Sequence, residues 1–152
     1  MFDEDFLKNR KLTKGNDDTL YLRMDEYVPF LEQKIKIEVI LTDVIIKDFE
    51  KLTLIKETLN TMLTLPSSNL RLIKKEVWRH YHQTISNCDL PEAFSGWDKY
   101  NPDKLYGEIT PIHIFFDAWY GHSYFNLEYS LPWDEEQGII FTFSEGEISC
   151  SA

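Results

Sequence analysis

The chain has 152 residues, of which 43% are hydrophobic, which is enough for one domain with a single core. Its 16 lysines and arginines against 26 aspartates and glutamates give a formal net charge of −10. That charge disfavours binding to nucleic acid, whose phosphates it would repel, and suits a basic protein partner instead.

The sequence also predicts a cytoplasmic protein without a membrane anchor. No apolar run approaches the roughly 20 residues that a membrane-spanning helix needs. The acidic segment Met1–Asp5 lacks the basic and apolar regions of a signal peptide.

The N-terminal part predicts an arm followed by strands. Residues 1–18 are charged and contain a turn cluster, so we expect a loosely held arm before a single domain over residues 19–152. Alternation of apolar residues with period two predicts strands at Leu20–Met24 and Ile35–Leu41. Between them, Tyr27–Phe30 is expected to form a short edge strand, where a proline is tolerated.

Two amphipathic helices are predicted next. Asp48 can cap the first, whose apolar residues recur at helical spacing from Leu52 to Leu63. The break at Pro66–Ser68 precedes the second helix. Its apolar stripe is expected to lie in the core and consists of Leu70, Ile73, Val77, Tyr81, Ile85 and Cys88.

The remaining residues predict a long loop and a meander. Residues 88–110 are expected to form an ordered loop that its aromatic side chains hold against the domain: Phe94, Trp97, Tyr100 and Tyr106. An antiparallel meander follows, with a loop at Pro132–Gly138 and strands at Ile112–Trp119, His122–Leu131, Ile139–Phe143 and Glu147–Cys150. The order of elements predicts an α+β fold, in which an antiparallel sheet of N-terminal strands plus the meander carries both helices on one face.

The histidines are the first candidates for chemistry. His80 and His82 lie two residues apart on the second helix, so they point some 160° away from each other and cannot share a metal ion. His113, Asp117 and His122 share the first hairpin of the meander and suggest an alternative function, a metal-dependent hydrolase.

The register of that hairpin argues for a simpler interpretation. A two-residue turn at Tyr120–Gly121 pairs Trp119 with His122 and His113 with Glu128. This register places His113 away from His122 along the strands. A polar outward face with cross-strand pairs is therefore favoured over a metal site.

Other catalytic patterns are missing. Cys88 and Cys150 have no metal-like spacing and are expected to be reduced, buried or inert. The six glycines are dispersed and form no phosphate loop, and no Gly-x-Ser-x-Gly elbow occurs. The carboxylates of Asp134–Glu136 lie in a predicted loop, where they are expected to be solvated. The sequence therefore predicts no cofactor and no enzyme activity.

One segment carries a resemblance. Pro132–Gly138, with the sequence PWDEEQG, precedes a strand and a Ser-Glu-Gly turn. It resembles bacterial families of unknown function that have a Trp-Asp-x-Glu-His-Gly motif between two late strands. Their members are often encoded beside polymorphic toxins and are suspected immunity proteins. The resemblance, over about residues 20–150, implies a binding protein that neutralises a toxin, and the net charge of −10 favours a basic one. Besides the metal-dependent hydrolase, a housekeeping interaction module is a further alternative.

The resemblance also suggests a structural role for the motif residues Trp133, Asp134, Glu136 and Gly138. Gln137 replaces the histidine of the family pattern, so this chain could not use that position for metal binding or proton transfer. We expect Trp133 to pack under the loop, Asp134 to accept backbone N–H groups, and Gly138 to have a positive φ angle.

Overall fold

The computed structural model describes residues 12–14, 20–41, 48–87, 94, 96–119 and 122–151. It contains seven strands: β1 (Leu12–Lys14), β2 (Leu20–Val28), β3 (Gln33–Leu41), β4 (Thr110–Trp119), β5 (His122–Leu131), β6 (Asp134–Ser144) and β7 (Glu147–Ser151). Its helices are α1 (Phe49–Leu63), α2 (Ser68–Asn87) and α3 (Pro102–Tyr106). The predicted α+β class is confirmed.

The seven strands form one sheet in chain order, and the sheet is mostly antiparallel. The prediction of a wholly antiparallel sheet is wrong at one place, because β3 and β4 pair in parallel, with Ile37 opposite Ile114. The three helices lie between these strands in the sequence. This long connection lets the chain return to the end of the sheet from which β3 started, as parallel pairing requires.

One face of the sheet carries the core. Leu22 pairs with Val39, Val39 with Phe116, Phe116 with Phe125, and Phe125 with Phe143. All five side chains are buried, and they belong to a single cluster with the buried residues of α1 and α2. Period-two alternation thus puts the apolar side chains of β2 to β6 on the same side.

Helix α1 begins where the sequence predicts. The Asp48 carboxylate accepts hydrogen bonds from the backbone N–H groups of Glu50 at 3.0 Å and Lys51 at 3.4 Å. These bonds satisfy two of the N–H groups that a helix leaves open at its start. The buried face of α1 consists of Leu52, Ile55, Leu59 and Met62.

The apolar stripe of α2 is shorter than predicted. Leu70, Ile73, Val77 and Tyr81 are buried, as expected, but Ile85 is 36% exposed and its predicted burial is wrong. Helical periodicity identifies the apolar face, whereas the extent of the core along the helix axis depends on what packs there. Cys88, the last member of the predicted stripe, lies outside the described residues.

Two predicted segments have a different structure. The expected edge strand at Tyr27–Phe30 is wrong, because β2 runs on to Val28 and Pro29–Leu31 forms a 3₁₀ turn. A proline suits the start of such a turn, where its missing N–H group costs nothing. The predicted arm contributes β1, which pairs with β2, and residues 1–11 and 15–19 lie outside the described part of the chain.

The predicted loop at 88–110 contains two short helical segments, a 3₁₀ turn at Trp97–Lys99 and α3. Asn101 caps α3 by accepting the backbone N–H of Lys104 at 2.8 Å. The aromatic side chains hold this segment against the domain, as predicted: Phe94, Trp97, Tyr100 and Tyr106 pack against the core.

Across the described ranges, no helix has both the length and the hydropathy needed to cross a membrane.

Candidate functional site

The motif segment forms a tight turn and a large bulge. Leu131 pairs with Asp134, so Pro132 and Trp133 alone make the turn between β5 and β6. The next pair is Tyr129 with Ile139, which leaves Ser130 opposite the four residues 135–138. The predicted loop at 132–138 is therefore wrong in its extent, because β6 begins at Asp134 and accommodates the extra residues as a bulge.

Gly138 closes the bulge. Its φ angle is +65°, as the sequence predicts, which places it in the left-handed region that glycine adopts without steric cost. A Cβ atom at this position would lie 2.5 Å from the backbone carbonyl oxygen of Tyr129. The close approach of the two strands therefore requires a residue without a side chain.

Replacing Gly138 with alanine should lower the free energy of unfolding by about 2–4 kcal/mol, because the strained φ angle and the clash with a backbone oxygen act together. Urea denaturation followed by circular dichroism measures this difference. Gly96 provides the control, because its φ angle is negative and nothing lies within 4 Å of the place that a Cβ atom would occupy. If Gly138→Ala and Gly96→Ala lost the same free energy of unfolding, the positive φ angle and the close contact with Tyr129 would not be what requires glycine at position 138.

Trp133 is buried in a cluster of aromatic side chains. It is 7% exposed, and its ring packs edge-on against Tyr81 of α2, with ring centres 5.2 Å apart. The ring of Trp97 also packs edge-on against Trp133, with centres 6.1 Å apart, and it lies 6.4 Å from the ring of Tyr81. The turn between β5 and β6 thus packs against α2 and against the segment before α3. This interpretation of the motif, as a structural element that holds the turn in place, is here called the clasp interpretation.

His80 completes the attachment of the turn to α2. The indole N–H of Trp133 donates to Nδ1 of His80 at 3.1 Å, and Nε2 of His80 lies 3.8 Å from the carboxylate of Asp134. Burial lowers the pKa of His80, and Asp134 opposes this effect only in part. The backbone N–H contacts expected for Asp134 are not seen among the described residues.

The contact between His80 and Trp133 predicts a pH dependence of stability. The folded chain protonates His80 at a lower pH than the unfolded chain, whose imidazole has an ordinary pKa of 6.5. Neutral His80 therefore stabilises the folded chain above pH 6.5. This contribution is lost as the pH falls from 6.5 through the lower pKa that His80 has in the folded chain. A protonated Nδ1 would also lose its bond from Trp133.

We expect the free energy of unfolding to fall between pH 7.5 and 5.5 more steeply in the native chain than in His80→Gln, as measured by urea denaturation at each pH. Carboxylates titrate in both proteins, so the difference between the two slopes of unfolding free energy against pH gives the contribution of His80. Parallel slopes would contradict the assignment.

The outward side of the motif is acidic. Glu135, Glu136 and Gln137 are exposed, whereas Trp133 and Gly138 face inward. Glu136, expected to belong to the structural motif, therefore points to solvent. Gln137 is exposed on the same side as these two glutamates.

The structure separates the residues of the alternative metal site. His113 lies 3.3 Å from Glu128, and His122 lies 2.9 Å from Glu145. The register pairs Trp119 with His122 and His113 with Glu128, as predicted. His122 and Glu128 are six residues apart on β5, or roughly 20 Å. The side chain of Asp117 lies outside the described part of the structure, and the described residues contain no group of three or more metal-binding side chains.

The basic residues all lie in the part of the chain up to Lys104. The prediction from the sequence missed this distribution, because it used only the net charge of the whole chain. After Lys104 the sequence contains no lysine or arginine. It contains eight carboxylates there: Glu108, Asp117, Glu128, Asp134, Glu135, Glu136, Glu145 and Glu147. The segment after Lys104, which includes the strands β4 to β7 and is here called the acidic meander, thus accounts for nearly all of the formal charge of −10.

The face of the sheet opposite the core, here called the outer face, is lined by polar and aromatic residues. Arg23 pairs with Glu38 across β2 and β3, with a contact of 3.4 Å. Phe115 follows on β4 in the same row. Tyr27, near the end of β2, is 56% exposed. Aromatic side chains on a partly solvated face are typical of surfaces that bind proteins.

Comparisons with known proteins give one match. A family model described as Domain of unknown function (DUF6985) matches residues 11–151. No curated protein matches the chain, and no solved structure matches it. Because the family model spans nearly the whole chain, the protein belongs to the family DUF6985, a domain of unknown function.

Proposed function

We propose that this protein is a small cytoplasmic binding protein of the immunity type, without catalytic activity, which neutralises a basic toxin by binding it on the acidic meander. The observation that carries the proposal is the charge distribution. The meander has eight carboxylates and no lysine or arginine, whereas the rest of the chain has 16 basic residues against 18 acidic ones.

Electrostatics explain why this distribution suits a protein partner. A surface of one charge sign accelerates encounter with a partner of the opposite sign, and association rates can rise by orders of magnitude at low salt. The same field repels nucleic acid, which is therefore not proposed as a ligand. The exposed carboxylates available for such steering are Glu108, Glu135, Glu136, Glu145 and Glu147.

The fold presents these charges on a rigid support. Glu135 and Glu136 project from the bulge, whose base is fixed by Trp133 and Gly138. Carboxylates that are held in place lose less conformational freedom on binding than those of a flexible loop.

In this proposal both α1 and α2 cover the core face of the sheet, so that the outer face is available to the same partner. The contacts of α1 with β4 and β5 support that arrangement, as does the contact of α2 with Trp133. The aromatic residues Tyr27 and Phe115 would then extend the interface from the acidic meander toward β2.

The experiment is to co-express the chain with the toxin-like product of the neighbouring gene and to measure both cell survival and complex formation. We expect rescue of growth and a complex whose association rate falls steeply between about 50 and 300 mM salt, because screening shortens the range of the field. A housekeeping interaction module would use the same surface but would give no rescue.

Charge-reversal variants test whether the partner binds on the acidic meander. The double variant Glu135→Lys, Glu136→Lys should lose binding, while Asp25→Lys, Glu50→Lys changes the net charge equally outside the meander and should retain it. All four residues are exposed, so both variants should fold. Equal loss in the two variants, or the absence of any complex and rescue, would overturn the proposal.

A further inference from the structure

A cavity lies between α1 and the ends of β5 and β6. Its volume is about 260 Å³. The floor is apolar and is formed by Leu54, Leu65, Phe125 and Phe143. The two phenylalanine rings are stacked face to face, with centres 4.5 Å apart and planes inclined by 8°, and both are buried, so each presents only a small part of its surface to the cavity.

The rim of the cavity is polar and carries two carboxylates. Glu57 of α1 and Glu145 of the turn between β6 and β7 both line it and are exposed. His122 also lines the rim and contacts Glu145. The described lining includes no lysine or arginine. The site thus combines a hydrophobic base with a negatively charged mouth.

We propose that this cavity binds one arginine or lysine side chain of the protein partner. The alkyl part of the side chain would lie against the half-buried Leu54 and Leu65 and the accessible edges of the two phenylalanine rings. Its cationic group would be held between Glu57 and Glu145. Long basic side chains bury their methylene groups against apolar surface in this way while the charged end stays at the solvent boundary. That the partner is a basic protein rests on the proposed function.

The size of the cavity favours a single side chain over a small-molecule substrate. Pockets for small molecules usually measure about 300–1,000 Å³ and enclose most of the ligand. The 260 Å³ space is smaller and open to solvent. It suits an anchoring residue, which protein interfaces commonly insert into a pocket on the partner.

The turn that carries Glu145 provides a substitution that separates binding from stability. Ser144 pairs with Glu147, and the two residues between them have φ angles of +54° for Glu145 and +81° for Gly146. This is the geometry of a type I′ turn, which favours Asn-Gly. Glu145→Asn therefore suits the backbone better while it removes the carboxylate.

The test is an NMR titration with N-acetyl-arginine N-methylamide as the probe and the uncharged norleucine analogue as its control. We expect saturable chemical-shift changes at the cavity residues with the arginine probe and much smaller ones with the norleucine analogue. Glu145→Asn and Glu57→Gln should each weaken binding about threefold, as expected for exposed carboxylates. Glu145→Asn should leave the melting temperature unchanged or raise it.

Glu135→Gln is the matched charge control, because it removes one exposed carboxylate at the opposite end of β6, and it should bind the probe as the native chain does. Equal binding of the norleucine analogue, shifts outside the cavity only, or the same loss in Glu135→Gln would overturn the proposal. The titration uses no toxin. A probe that binds in the cavity when the toxin does not bind the chain would therefore refute the proposed function alone.

Discussion

Replacing Trp133 with alanine should lower the free energy of unfolding by roughly 3–5 kcal/mol, the usual loss for a large buried aromatic residue. Trp133 is 7% exposed and contacts Tyr81 and Trp97. Its removal would leave a space between the β5–β6 turn and α2 that the surrounding rings can fill only in part. Urea denaturation followed by circular dichroism measures the loss.

Two further variants identify the source of that loss. Trp133→Phe keeps most of the ring but removes the hydrogen bond to His80, so it should cost only about 1–2 kcal/mol. Trp78→Ala removes a partly buried tryptophan from α2 and should cost less than Trp133→Ala. If Trp133→Ala kept its stability but lost partner binding, the motif would be a recognition site and the clasp interpretation would fail.

Replacing Val77 with aspartate should destabilise the domain by at least about 3–4 kcal/mol, enough to unfold it if its stability is marginal. Val77 is fully buried in the middle of α2 and belongs to the core cluster. A carboxylate there would lose its hydration without gaining a partner. Denaturation curves, or the loss of NMR dispersion if the variant is unfolded, provide the measurement.

Leu72 offers a matched control on the same helix. It is 46% exposed, so Leu72→Asp introduces the same charge into the same helix but without burial. We expect a change within about 1 kcal/mol, as is usual for surface substitutions. If both variants had the same melting temperature, the division of α2 into buried and exposed faces would be incorrect.

Local patterns in the sequence were sufficient for much of the fold. The alternation in β5 predicted the burial of Phe125, Leu127 and Tyr129. The prediction that only two residues connect Trp119 to His122 gave the register of the first hairpin, because so short a connection leaves little choice of pairing. The cap at Asp48 was equally local, since it depends only on the next three residues.

The features that the sequence did not reveal depend on distant contacts. The parallel pairing of β3 with β4 joins segments that are separated by all three helices. The bulge at residues 135–138 depends on how β5 aligns with β6 after the turn, and no local propensity specifies the additional residues. The 36% exposure of Ile85 could not be predicted from periodicity, which identifies the apolar face of a helix but not how far the core extends along it.

In the candidate site, too, local features could be predicted from the sequence, whereas contacts between distant residues could not. The positive φ angle of Gly138 could be predicted from a glycine in a turn-like motif. The bond between Trp133 and His80 joins positions 53 residues apart, and neither residue type indicates the other. The absence of lysine and arginine after Lys104 was visible in the sequence, but a count over the whole chain concealed it.

Hydrogen–deuterium exchange of the chain, alone and in complex with the toxin, tests most directly whether the acidic meander is the binding surface. We predict slower exchange in complex for peptides that cover β6, the turn at Glu145–Gly146 and β7, with little change along the basic exposed side of α2. Protection centred on α2 around Arg71 and Lys75, with none in β6 and β7, would contradict this prediction.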